Sequence, residues 1–252
     1  TIAEIPLASA ADVDAMLARA VAVFANRRGV LPAHKRIEIL RRLVSLLRGK
    51  IDDFAQLIAR EGGKPVADAR IEAERAMNGI ELAIEGIGTL NGREIAMDLT
   101  PAGAGRQAFT KRLPLGTVVA VSAFNHPLNL IVHQVVPAIA VGCPVIVKPA
   151  DTTPTTCLKF VELVHQAGLP EDWCQVCICD IPTAEKLVTD PRVAFFSFIG
   201  SARVGWHLRS KLAPGTRCAL EHGGAAPVIL CDDADVEAAV PLLVKGGYYH
   251  AG

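Results

Sequence analysis

Hydrophobic positions recur at two spacings along this chain, and the spacing changes near Gly116. Before Gly92 they fall three and four residues apart. Val13, Leu17, Ala20 and Phe24 mark one amphipathic helix, and Ser9, three residues before Asp12, makes an N-terminal capping signal. Ile37, Leu40, Leu43 and Leu47 mark a second helix, and Ile51, Phe54 and Ile58 a third, which Gly62-Gly63 should end. A fourth runs from about Pro65 to Leu90, with Ile80, Ile84 and Ile87 on one face. Between Gly92 and Arg112, Pro101, Gly103 and Gly105 separate two short extended stretches, which predicts a hairpin.

After Gly116 short apolar runs alternate with helical patterns. Strands are predicted at Val118 to Ser122, Val145 to Lys148, Gln175 to Cys179, Ala194 to Phe198, Cys218 to Glu221 and Val228 to Cys231. Helices are predicted at Pro127 to Val141, Thr155 to Ala167, from Thr183, and at Ala202 to Leu212. Alternation with short loops argues an α/β fold, a Rossmann-like doubly wound parallel sheet preceded by the N-terminal helices and the hairpin. The implied divisions are 1–92, helices packing on the sheet domain; 93–112, the hairpin; and 113–252, the doubly wound domain.

Composition narrows the function classes. Formal net charge is zero, so no basic field points to nucleic acid or an anionic membrane surface. Half the residues are apolar and mean hydropathy is +0.33, but the richest stretch, Leu128 to Val147, is broken by His133, Gln134, Pro137 and Pro144. It falls short of the roughly 20 apolar residues of a membrane span. No secretory pattern opens the chain, and seven scattered cysteines suit a reduced, cytoplasmic protein. Cys174, Cys177 and Cys179 lack a second ligand pair at finger-like spacing and alternate like a strand, so no metal site is assigned.

Ligands of doubly wound sheets sit beyond the C-terminal ends of the strands, which selects the residues to weigh. Gly200-Ser201 joins a strand to a helix; free amides there would hold a phosphate, although a glycine permitting a tight turn is the plainer alternative. Lys148-Pro149-Ala150-Asp151 pairs a cation with an acid suited to ribose hydroxyls, or is a solvated loop. Asn125, in Phe124-Asn125-His126-Pro127, could donate to an oxyanion or cap the helix expected at Pro127. Glu221 ends an apolar strand, where burial would raise its pKa into the range of a general base, or ends it in a salt bridge. Arg75 lies on the fourth helix between Glu72 and Glu74, as an anion-binding guanidinium or as their surface partner.

In order and spacing, Phe124-Asn125-His126-Pro127, Lys148-Pro149-Ala150-Asp151, Phe198-Ile199-Gly200-Ser201 and Glu221-His222-Gly223-Gly224 resemble the motifs of the aldehyde dehydrogenase family. Tyr248 to Gly252 resembles the approach to that family's Gly-Gln-x-Cys turn, which implies a nucleophile and catalytic domain beyond this chain and no activity for the 252 residues alone. The resemblance implies NAD(P)-dependent oxidation of an aldehyde to the acid through a cysteine thioester, with Asn125 in the oxyanion hole and Glu221 activating water. It assigns NAD or NADP to Gly200, Ser201, Lys148, Asp151 and Phe124, with Asp151 in place of the usual Glu. Arg75 resembles an arginine that holds the acidic end of the substrate in relatives acting on phosphonoacetaldehyde, lactaldehyde or glyceraldehyde phosphate, and His126 resembles the histidine beside the catalytic Asn in phosphonoacetaldehyde dehydrogenase, which implies that both bind a short anionic aldehyde. A homodimer or homotetramer is expected, joined through the hairpin. The alternatives are a CoA-acylating semialdehyde dehydrogenase and a truncated, non-catalytic nucleotide-binding module.

Overall fold

The helical periodicities before Gly92 become α1 (Ala10–Ala25), α2 (Ala33–Arg48), α3 (Ile51–Gly62) and α4 (Val66–Ile87) in the computed structural model, which describes residues 2–26, 31–224 and 226–248. Ser9 and Asp12 form a reciprocal capping box: the Ser9 amide donates to Asp12 Oδ2 (2.8 Å) and the Asp12 amide to Ser9 Oγ (3.2 Å). Gly63, at φ 71°, ends α3 in the left-handed conformation that a side chain would resist. The hairpin is small: β1 (Glu94–Ile95) pairs antiparallel with β2 (Ala108–Phe109) around a 3-10 turn at Pro101–Gly103.

Beyond Gly116 the chain runs β3 (Thr117–Val121), α5 (Asn129–Val141), β4 (Val145–Lys148), α6 (Pro154–Gln166), β5 (Cys174–Val176), α7 (Ile181–Thr189), β6 (Val193–Gly200), α8 (Ala202–Ser210) and β7 (Arg217–His222). These strands form one parallel sheet in the order β5-β4-β3-β6-β7. The chain starts at the centre, winds outward through β4 and β5, then returns through α7 to β6 on the other side of β3. The strand order reverses between β3 and β6.

Each central strand divides its side chains between two cores, as the two-residue period requires. Val118, Ala120, Val145 and Val147 join α5 and α6 under α2 and α4, whereas Val119, Ile146, Phe196 and Phe198 face α1, α7 and α8. Fully burying a side chain such as Ile146 or Phe196 contributes about 1.5–3 kcal/mol, so this double burial is what fixes the sheet.

Two boundaries shift and one expected strand does not form: the strand expected at Gln175 to Cys179 is β5, ending at Val176. The helix expected from Pro127 begins at Asn129. The strand expected at Val228 to Cys231 is absent: those residues carry no regular structure, and Val228 and Ile229 are exposed. Gly223 donates its amide back to Gly200, Ala226 turns the chain at φ 40°, and Pro227 has no amide for a ladder. Then α9 (Val236–Tyr248) follows with no buried residue.

Candidate active site at the strand ends

The reversal between β3 and β6 is the topological switch point at which doubly wound sheets hold their ligands. Parallel strands deliver their C-terminal ends to one edge. There β3 leads into Phe124, Asn125 and His126, β4 into Lys148 and Asp151, β6 into Gly200 and Ser201, and β7 into Glu221. Register supports the grouping, since Lys148 lies opposite Val121 and Glu221 opposite Ile199. Beneath them Gln134 ties the strands flanking the switch, donating Nε2 to Val121 O (3.1 Å) and Ser197 Oγ (3.0 Å).

At the β6 end, Ser201 is the N-cap of α8 in extended conformation, and no side chain among the described residues caps the helix. Its first-turn amides are therefore available to an anion. Gly200 owes its identity to space, not to backbone angle: a Cβ would meet the Phe198 ring at 2.7 Å. Likewise a Cβ on Gly205 would collide with His222 Nε2. The His222 ring stacks edge-on against Trp206, centroids 5.0 Å apart, and braces α8 on β7.

At the β4 end, the Lys148 ammonium is nearly buried and donates to Asp151 Oδ1 (2.5 Å) and Pro149 O (3.2 Å). The Asp151 carboxylate is 65% exposed, so it presents acceptor oxygens to solvent with a cation behind them. Glu221 is itself exposed, and the burial expected of an apolar strand end is not supplied by the described residues. Strand β7 alternates exposed and half-buried positions, and Glu221 falls on its open face.

The β3 end corrects two sequence readings. Asn125 does not cap the following helix; it is exposed and makes no hydrogen bond among the described residues. Glu72 is not a surface partner for Arg75 but is fully buried. Its Oε1 accepts from the amides of Leu128 (2.8 Å) and Asn129 (3.0 Å), capping α5, while Oε2 accepts from Lys64 Nζ (2.5 Å). His126 Nδ1 lies 3.3 Å from the same ammonium, which can only donate. The lysine and glutamate were missed by motif, yet a signal existed: Glu72 lies in the buried stripe Ala69, Glu72, Ala73, Ala76, Ile80. Arg75 lies three residues further along α4 and is exposed.

Among the described residues no cluster of His, Cys, Asp and Glu could hold a metal ion. No helix among them is long and apolar enough to cross a membrane. Burial pushes the Cys157 thiol up and that of Cys174 up to about 12, which makes both poor nucleophiles. Ala225 and the Tyr249 to Gly252 motif lie outside the described residues.

A family model described as the aldehyde dehydrogenase family matches residues 1–252. The chain is 36% identical over 251 residues to a 3-sulfolactaldehyde dehydrogenase of Priestia aryabhattai, covering 99% of this chain and 52% of that one. It is similar in structure to aldehyde dehydrogenase 21 from Physcomitrella patens in complex with the reaction product succinate, with TM-score 0.91, 34% identity, and coverage of 98% and 52%. It also resembles glyceraldehyde-3-phosphate dehydrogenase GapN from Methanocaldococcus jannaschii complexed with NADP, with TM-score 0.88, 30% identity, and coverage of 98% and 53%. The chain spans about half the length of the relatives it matches.

Proposed function

The chain belongs to the aldehyde dehydrogenase family, and from that premise we propose that the complete protein oxidises a short anionic aldehyde to its acid with NAD or NADP. The observation that carries this reading is the shared edge: Asn125, Lys148 with Asp151, Gly200 with Ser201, and Glu221 all leave the same end of one parallel sheet at its switch point. The uncapped start of α8 and the exposed Asp151 fit a dinucleotide, the first its pyrophosphate and the second a ribose. Bound there, the nicotinamide supplies the hydride acceptor.

The chain's own residues then divide the work. Gly200 lets the backbone approach the diphosphate and Ser201 adds a hydroxyl. Phe124 offers an exposed apolar face beside it. Asn125 donates its amide to the oxygen that gains charge when a cysteine outside this chain attacks the aldehyde carbon. Glu221 takes a proton from the water that releases the acid. Arg75 and His126 serve the anionic tail of the substrate, in line with the sulfonate aldehyde in the name of the Priestia relative. The protein is cytoplasmic and assembles as a homodimer or homotetramer through the hairpin, where Leu99 and Phe109 are both at least 80% exposed.

The test is the complete protein with NAD or NADP and matched aldehydes bearing a sulfonate, phosphonate, carboxylate or no charge. Reduced cofactor and free acid are expected with the anionic set. Acyl-CoA formed only when CoA is added would replace water by a thiol as acceptor, and no reduced cofactor with any aldehyde would defeat the reading. Arg75→Ala should lower kcat/KM for anionic aldehydes by about tenfold, the scale of one exposed charge-assisted contact, and spare neutral ones. Equal losses in both classes would remove Arg75 from the substrate site.

A further inference from the structure

The start of α5 is capped from another helix. Its N-cap position is Leu128, which has no side-chain oxygen to offer, and the cap comes from Glu72 on α4, 56 residues earlier. The Lys64 and Glu72 side chains are 3% and 0% exposed, so neither charge is screened by water and each depends on the other. The Glu72 carboxylate meets three donors: two α5 amides on one oxygen and the Lys64 ammonium on the other. Three successive residues after Asn125 are thereby restrained. His126 contacts the Lys64 ammonium, Pro127 has a fixed φ, and Leu128 is pinned through its amide. Asn125 itself, three residues before the N-cap position, is left exposed without a hydrogen bond among the described residues.

We propose that Glu72, with Lys64 as its counter-ion, is a positioning residue for Asn125. By capping α5 in place of a loop side chain, it releases the Asn125 amide from structural duty and holds the loop so that the amide is aimed before charge develops. Donors set in place beforehand need no reorganisation during reaction, which is the source of their catalytic effect. The inference rests on the oxyanion role given to Asn125 above.

The experiment uses the complete protein and the rate of the first hydride transfer. Lys64→Met/Glu72→Leu removes both charges and the cap together; Lys64→Met/Glu72→Gln removes both charges but keeps an oxygen that can accept from the α5 amides. The Leu variant should lose about ten- to a hundredfold in first-turnover rate with NAD(P) affinity held, and the Gln variant should recover most of that loss. Adding Asn125→Ala should cost far less in the Leu background than in wild type, because the positioned group is already misplaced. Equal rates for the two double variants, or the same Asn125→Ala penalty in both backgrounds, would overturn the proposal. If the Leu variant does not fold, Glu72→Asp keeps the charge but shortens the reach. The same loss of coupling to Asn125 is then expected, and undiminished coupling is the overturning result. Amide exchange at Leu128 and Asn129 separates the two readings: a wild type that oxidises no aldehyde defeats the proposed function, whereas exchange unchanged by Glu72→Asp defeats the cap.

Discussion

Two helices begin at the switch point of the sheet, and the fold treats their N-termini in opposite ways. The start of α5, after β3, is closed by the buried carboxylate of Glu72, with Lys64 balancing its charge. The start of α8, after β6, has Ser201 at its N-cap and, among the described residues, no side chain capping it. Both carry the same backbone donors and the same positive end of a helix dipole. A helix start is thus a site only where the protein leaves it unsatisfied. In the proposed reading the filled one is scaffold for Asn125 and the open one the place for a phosphate.

The comparison can be broken from either side. The largest effect should come from Glu72→Ala, which leaves the Lys64 ammonium buried without its partner and should cost about 3–5 kcal/mol of stability in chemical denaturation. A loss under about 1 kcal/mol would mean that the pair is solvated and α5 is not closed from within. Next, Asn125→Ala in the complete protein should reduce kcat by about 10²- to 10³-fold, or roughly 2.7–4 kcal/mol, with NAD(P) affinity intact. A variant that weakened cofactor binding instead would place Asn125 on the α8 side of the division. Ser201→Asp would give α8 the kind of carboxylate cap that α5 already has. Cofactor affinity measured by fluorescence titration should fall about ten- to a hundredfold, equivalent to roughly 1.5–3 kcal/mol, while an unchanged Kd would show that no anion sits on α8.

The smallest effect is a control remote from both helix starts. Asp190 is held below the usual carboxylate range, chiefly by a hydrogen bond from the Arg192 side chain. Its folded pKa is depressed, so the stabilisation is present above the unfolded value of about 3.9 and is lost as pH falls through the folded one. Arg192→Met should lower the melting temperature slightly at neutral pH and flatten its decline below about pH 4. A shift in cofactor affinity in that variant would mean that the sheet edge is coupled to this distant pair.

How far the sequence could be read depended on how local each cause was. The Ser9–Asp12 box and the left-handed Gly63 involve residues within a few positions of one another, and they were legible. So were the runs that became β3, β4 and β6, because an apolar strand followed by a helical pattern has few other uses. Val228 to Cys231 had the same apolar, β-branched look and formed no strand, since a strand needs a neighbour and no ladder pairs these residues. Glu221 was recognised by motif, but its exposure on the open face of β7 depends on which elements cover that strand.

Periodicity, capping residues and motif order by themselves determined the helices, the alternating βα units and the residues that gather at the strand ends, because these rest on backbone preferences and on side-chain spacing along one segment. Tertiary structure alone decided the strand order with its reversal between β3 and β6, and the use of Glu72 and Lys64 to close α5. A buried charge is stable only when its partner arrives from elsewhere in the chain, and no local stretch records that meeting.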